Sequence, residues 1–221
     1  MFFKKHVYKL KEKQYYILVN DIYIVFFERH GDFMKLNELV ELNVGSPQFR
    51  IKNSVITTDP EYKFYSQNDL EEDLAGMKLF DEQPKLIRTS DNVTTLAEKD
   101  VVFSLISGKA AIVSPLHSGY LYTQNYIVIR TGEEVDDKFL VYLLNEDKQI
   151  ARQLWLSLQG SSVLKYTVKQ LRELKIAELP PIDKQKIIGD VYMKQCHLQA
   201  LQERKARNET LLRLTRLGEA Y

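Results

Sequence analysis

The sequence predicts an α/β protein, in which a domain with a mixed sheet is followed by one long C-terminal helix of the coiled-coil type. Three observations predict it. Between residues 101 and 113, two apolar runs rich in β-branched residues flank a glycine turn, which reads as a hairpin. Short amphipathic segments with capping residues lie on both sides of that hairpin. After Pro180-Pro181, residues 183–217 contain no proline and a single glycine, as a long uninterrupted helix requires.

The elements follow in chain order. Tyr15 to Phe27 is β-branched and aromatic and is interrupted at Asn20-Asp21, predicting two short strands joined by an Asn-Asp turn. From Met34, the spacing of Leu36, Leu39 and Val40 predicts a helix. Residues 47–98 are polar and turn-rich, with Ile51, Val55 and Ile56 as short strand material. Ser66 caps one acidic helical turn over Gln67 to Leu74. Val101 to Ile106 is a strand, Ser107-Gly108-Lys109 turns, Ala110 to Val113 returns, and Tyr120 to Ile129 ends in strand character.

Asp136 or Asp137 caps a helix carrying Phe139, Leu140, Leu143 and Leu144, and a second helix covers Ile150 to Leu158, ending at Gly160. Thr167 and Gln170 form a capping box for a short helix containing Leu171, and Lys175 to Ala177 reads as a strand. The last helix, of roughly 35 residues, would be about 50 Å long. Val191, Leu198 and Leu212 fit a seven-residue register, with Lys205 in the missing slot, and Gln202 to Thr210 is almost wholly polar. Such a helix cannot bury its apolar stripe on a small domain and needs a partner helix. The expected organisation is an extension over 1–33, a domain over 34–180 and the helix over 181–221.

Composition excludes several classes. At 221 residues the chain can hold one well-packed domain and an appendage, and a single cysteine rules out a disulfide framework. Cys196 reads as a small apolar or surface residue. The net charge of +1 excludes a generally basic nucleic-acid binder, so any positive field must be local or come from another subunit. No signal peptide is visible and the apolar run at 15–27 is too short to span a bilayer, so a cytoplasmic protein is expected, with no membrane association.

Enzyme signatures in the chain are fragmentary. Glu61-Tyr62-Lys63 contains the Glu-x-Lys half of a nuclease-like metal site, but it reads as a surface turn. Leu179-Pro180-Pro181-Ile182 lacks the polar and aromatic ends of an amino-methyltransferase motif, and no glycine-rich cofactor loop accompanies it. His6, His30, His117 and His197 show no metal-ligand spacing, and the acidic run at 69–73 reads as a solvated face. Ser107, Ser161 and Ser162 lack a nucleophile motif. No catalytic residue, metal or cofactor is expected. Gly108-Lys109 is a turn that could approach phosphate, and Tyr120 to Tyr126 mixes rings with the amides of Gln124 and Asn125. A half-buried strand with a polar face explains the latter segment equally well.

A resemblance sharpens these readings. Gly160-Ser161-Ser162-Val163-Leu164-Lys165-Tyr166-Thr167-Val168-Lys169-Gln170-Leu171, then Ile176 to Pro181, then Ile182 to Ile188 resembles the end of a target-recognition domain in type I restriction-modification specificity subunits. There a glycine-led loop, a short helix and a strand lead into a Pro-Pro-x-x-x-Gln signature that starts a long helix. Lys99 to Ser104 with Gly108 to Val113 resembles that family's mid-domain hairpin, Thr123 to Tyr126 the segment after it, and Met34 to Leu42 its opening helix. Full-length members carry two such domains and two long helices, whereas one of each is legible here. Lys99 stands where the family often has glycine, and residues 1–33 match none of its features.

The resemblance implies a non-catalytic subunit that reads one half of a split double-stranded DNA target. It implies docking to methyltransferase subunits and, with a restriction subunit, direction of modification or cleavage. The residues expected to touch DNA are Lys109, Gln124, Asn125, Lys165 and Tyr166, with Arg50 and Arg88 beside them. Ile187, Val191, Leu198, Leu201 and Leu212 are expected to pair the helix with a second copy or another specificity subunit. The alternative is an interaction or regulatory protein that does not bind DNA and instead uses the helix to dimerise with, or poison, a full-length specificity subunit.

Overall fold

The computed structural model describes residues 7–10, 14–19, 22–27, 33–158 and 165–221. Three strands, β1 (Val7–Leu10), β2 (Gln14–Val19) and β3 (Ile22–Phe27), form an antiparallel meander. The paired strands flanking Asn20-Asp21 match the expected hairpin, while the turn itself lies outside the described residues.

Further along the chain come β4 (Met34–Lys35), a single helical turn α1 (Leu36–Leu39) and β5 (Val40–Val44). Next come β6 (Glu61–Lys63), α2 (Gln67–Ala75), β7 (Leu86–Arg88), β8 (Val101–Ser104), β9 (Ala110–Ile112) and β10 (Tyr126–Thr131). Then follow α3 (Asp137–Glu146), α4 (Lys148–Leu158), α5 (Val168–Arg172), β11 (Lys175–Ile176) and the long α6 (Ile182–Glu219). The architecture is α/β, as expected.

The central sheet has the order β5-β10-β8-β9, and its ladders are antiparallel. Parallel pairing occurs at the isolated bridges Ser46–Thr123 and Phe64–Leu121. All four residues of β8 are buried, because alternate side chains enter two different cores. Val101 and Phe103 join Ile127, Ile129, Leu140 and Leu171 on the face covered by α3, α4 and α5. Val102 joins Tyr65, Leu70, Leu96 and Val128 on the other face, covered by α2. A sheet buried on both sides explains why residues 101–113 read as continuous apolar runs rather than as an alternation.

The capping residues act as their types predict. Ser66, Asp136 and Thr167 each accept a backbone N–H from the first turn of α2, α3 and α5, and Thr167 N donates in return to Gln170 Oε1. Gln185, in the first turns of α6, is buried. Its amide donates to the Glu134 and Pro180 carbonyls at 2.9 and 2.8 Å and accepts from Asp136 N at 3.0 Å.

Four expectations need correction. The helix expected from Met34 lasts one turn, because Val40 leaves it for β5, which pairs with β10 from Val40↔Thr131 to Val44↔Ile127. Ile51, Val55 and Ile56 form no strand, and Val55 is 94% exposed. Glu61-Tyr62-Lys63 is a strand rather than a turn, and Glu61 holds Arg88 on β7 at 2.8 Å. The acidic run is not a solvated face: Glu72 and Asp73 are buried and Asp69 half-buried, turned toward His117. The expected helix end at Gly160 and the residues Ser161 and Ser162 lie outside the described residues.

Candidate nucleic-acid interface

Lys109, Gln124, Asn125, Lys165 and Tyr166 lie on loops, whereas Arg50 ends a 3-10 turn after β5 and Arg88 lies on β7. After β8 the chain turns through Gly108, whose φ of 71° lies in the left-handed region that favours glycine. Tyr166 sits against this turn, so a Cβ added at Gly108 would lie 2.6 Å from Tyr166 Cε2. The Tyr166 ring also meets Phe103 edge-on at 6.5 Å, and its N–H donates to Leu105 O at 2.9 Å. Tyr166 is therefore half-buried packing, and it ties the chain after residue 164 to the hairpin.

Asn125 is joined to the same turn, because Leu105 N donates to Asn125 O at 2.8 Å. Lys165 Nζ donates to Asn125 Oδ1 at 2.6 Å. The structure thus brings Asn125, Lys165 and Tyr166 together. Gln124 adjoins them, half-buried, with its backbone N–H bonded to Ser46 O at 3.0 Å. Its side-chain amide makes no hydrogen bond among the described residues. Ser46 leads into a 3-10 turn, Gln48–Arg50, where exposed Arg50 lies 5.5 Å from the Phe49 ring.

The remaining two candidates are placed differently. Lys109 is exposed but borders a cavity that also touches Glu71, Glu146 and Cys196, where α2, α3 and α6 meet. Burial pushes the Cys196 thiol up, which suits a packing residue rather than a nucleophile. Arg88 is committed to Glu61, and its buried Nε has no hydrogen-bond partner among the described residues.

On α6, Ile187, Val191, Leu198, Leu201 and Leu212 all lie on exposed positions, with Ile187 and Val191 more than 60% accessible. The opposite side of the helix docks on the domain, where Gly189 packs on Lys138 and Phe139 and His197 Nδ1 meets Ala75 O at 2.8 Å. Beyond Ala200 every residue of the helix is exposed.

Sequence reasoning missed a polar constellation around α2. Tyr65, Asp69, Glu72 and Asp73 surround His117, and Gln67 Nε2 donates to Tyr126 Oη and Ser104 Oγ at 2.7 and 2.9 Å. Burial pushes the Tyr126 hydroxyl up to about 12. Burial alone would lower the His117 imidazole, but the Asp73 hydrogen bond and three nearby carboxylates outweigh it and hold it above the usual value. The Ser66 capping signal located α2. Nothing in the sequence paired it with a histidine 44 residues from Asp73.

These features define an α/β domain that presents polar loops at one end of its sheet and is carried on a long helix with an uncovered apolar stripe. The family model described as "Type I restriction modification DNA specificity domain" matches residues 29–208, and the chain belongs to that family. The fold is similar to the HsdS subunit from Thermoanaerobacter tengcongensis (TM-score 0.53, 18% identity, covering 84% of this chain and 42% of that one). It is also similar to a chain from a structure of complex assembly and conformational transition in the type I R-M system (TM-score 0.53, 20% identity, 84% and 43%). The chain thus spans less than half the length of both solved structures. No match was found among the curated proteins. No helix among the described residues is long and apolar enough to cross a membrane.

Proposed function

We propose that the chain is a sequence-reading component of a type I restriction-modification assembly, acting on double-stranded DNA in the cytoplasm. The family match over residues 29–208 carries this reading. The domain reads one half of a bipartite target through the loops bearing Gln124, Asn125 and Lys165. Its helix pairs with a second long helix and docks methyltransferase subunits, and a restriction subunit joins the same complex. The chain contributes recognition and no bond-making chemistry of its own.

Electrostatics sets the test. Non-specific affinity scales with the number of phosphates neutralised, and a net charge of +1 supplies little uniform field. The isolated chain should bind DNA weakly, and affinity should rise when a methyltransferase subunit of the same system is added. A salt titration against cognate and scrambled duplexes measures both effects. Discrimination between duplexes supports the reading, and equal affinity for every duplex in the presence of methyltransferase defeats it.

A second reading draws on the exposed Ile187, Val191 and Leu198 stripe together with the near-neutral charge. In it the helix pairs with a full-length specificity subunit and regulates it without touching DNA. Equal binding to all duplexes, with retained pairing to such a subunit, would select this alternative.

A further inference from the structure

The constellation around His117 is not used by the recognition loops. His117 ends a 3-10 turn, Pro115–His117, and its side chain is only 5% exposed. Its Nδ1 lies 2.7 Å from Asp73 Oδ1. That carboxylate is wholly buried and acts as an acceptor throughout, taking the Tyr65 hydroxyl at 2.8 Å and Ser114 N at 3.0 Å. Nδ1 therefore donates to it. This leaves Nε2 as the free ring nitrogen, 3.3 Å from Asp69 Oδ1 and 3.5 Å from Glu72 Oε2, with no hydrogen bond of its own among the described residues.

Both carboxylates are held by their other oxygen. Asp69 Oδ2 accepts from Ser66 N at 2.7 Å and Ser66 Oγ at 2.6 Å, while Glu72 Oε1 accepts from Leu79 N and Phe80 N at 2.8 Å each. The inner oxygens and Nε2 face one another within 4.8 Å, at the edge of a cleft of about 570 Å³. Two carboxylate oxygens and an imidazole nitrogen converging in a half-buried site call for a cation between them.

A proton on Nε2 or a metal ion could supply that charge, and the distances separate the two. Charge-assisted N–H···O bonds draw donor and acceptor to about 2.7–2.9 Å. Metal–ligand bonds of about 2.0–2.1 Å at tetrahedral angles hold neighbouring ligand atoms about 3.3–3.4 Å apart. The separations from Nε2, 3.3 Å to Asp69 and 3.5 Å to Glu72, are longer than the first case and close to the second. A carboxylate on the far nitrogen of the histidine is also the usual support of a metal-bound imidazole. The nitrogen ligand selects a zinc-like ion over magnesium or calcium, which prefer all-oxygen sites.

We propose that His117 Nε2, Asp69 Oδ1 and Glu72 Oε2 form a binding site for a zinc-class divalent cation, with Asp73 positioning the histidine. A water facing the cleft would complete the tetrahedron. The ion would tie α2 to the 115–117 turn, a structural clamp rather than a reaction centre.

The test uses the full chain, stripped with chelator and titrated in mildly alkaline buffer with Zn²⁺ by calorimetry and with Co²⁺ by visible absorption. One equivalent of zinc, an intense tetrahedral cobalt band and a raised Tm are expected. His117→Gln and Glu72→Gln should each abolish the cobalt band, and Asp73→Asn should weaken zinc about 10–100-fold. Lys78→Ala, on the rim of the cleft, should change neither. Circular dichroism separates lost binding from lost folding, and titration of the unmutated chain is decisive without the variants. Absence of both zinc heat and cobalt band in that chain overturns the proposal in favour of a metal-free imidazolium. Zinc binding that persists in folded His117→Gln and Glu72→Gln variants also overturns it, placing the metal elsewhere.

Discussion

Gln124 and Asn125 are adjacent, yet the fold leaves them different freedom. A side-chain amide reads adenine by offering an acceptor and a donor together. Gln124 keeps both groups uncommitted among the described residues, while Asn125 Oδ1 already accepts from Lys165. Asn125 would have to exchange that bond to read a base. Gln124→Ala is therefore expected to cost about 1–3 kcal/mol at one base pair and little on scrambled duplexes. Lys165→Ala should weaken binding to all duplexes and reduce the salt slope by about 1, if its ammonium reaches phosphate once DNA displaces Asn125. Lys109→Ala should lower the slope less, since Lys109 shares its cavity with Glu71 and Glu146. Competition binding over a salt series measures all three, and a Gln124→Ala loss that is uniform across sequences would move that residue from base reading to positioning.

At this scale the sequence revealed residue types but not their partners. The amides of Gln124 and Asn125 stood out beside the tyrosines, whereas the bonds that tie up Asn125 and Arg88 join residues 40 and 27 positions apart. No local pattern encodes such pairs.

At the scale of elements, the helix caps and the β8–β9 hairpin were legible because their signals lie within a few residues. β5 was not, because Leu36, Leu39 and Val40 satisfy helical spacing and it is the ladder to β10 that pulls Val40 into a strand. The register of α6 was legible on its exposed side only. Its docked side depends on Gly189, whose added Cβ would lie 2.6 Å from Phe139 N. Gly189→Ala gains about 1 kcal/mol of helix propensity, but overpacking against a backbone atom costs about 1–3 kcal/mol. The net effect should be a lower Tm in thermal melts. Gln185→Ala should also lower it, since it leaves two carbonyls and an N–H without the partners they now have, at about 1–3 kcal/mol. On the exposed side, changing Val191, Leu198 and Leu201 together to Asp should yield monomers by light scattering and remove the concentration dependence of Tm that pairing confers. A monomer in the unmutated protein, with methyltransferase present, would remove self-pairing.

For the whole molecule, the question is where the folding unit begins. The described pairing of β1, β2 and β3 is with one another, and the family match starts at residue 29. Residues 34–36 close instead against the segment just before α6. β4 pairs with β11 (Met34↔Ile176 and Lys35↔Lys175), Leu36 is fully buried, and its N–H donates to Leu174 O at 2.9 Å. These contacts fasten the start of the domain to the segment that launches α6. A chain beginning at Met34 keeps all of them, and one beginning at Val40 loses them along with the Leu36 side chain. Loss of a fully buried leucine costs about 2–5 kcal/mol, enough to consume much of the stability of an ordinary domain. The Met34 truncation should therefore melt cooperatively near the parent Tm and pair through α6 as the parent does. The Val40 truncation should melt far lower or fail to fold. Circular dichroism melts of the three chains decide the point: if removing residues 1–33 unfolds the domain as thoroughly as removing residues 1–39, the amino-terminal meander belongs to the folding unit and the boundary at Met34 is wrong.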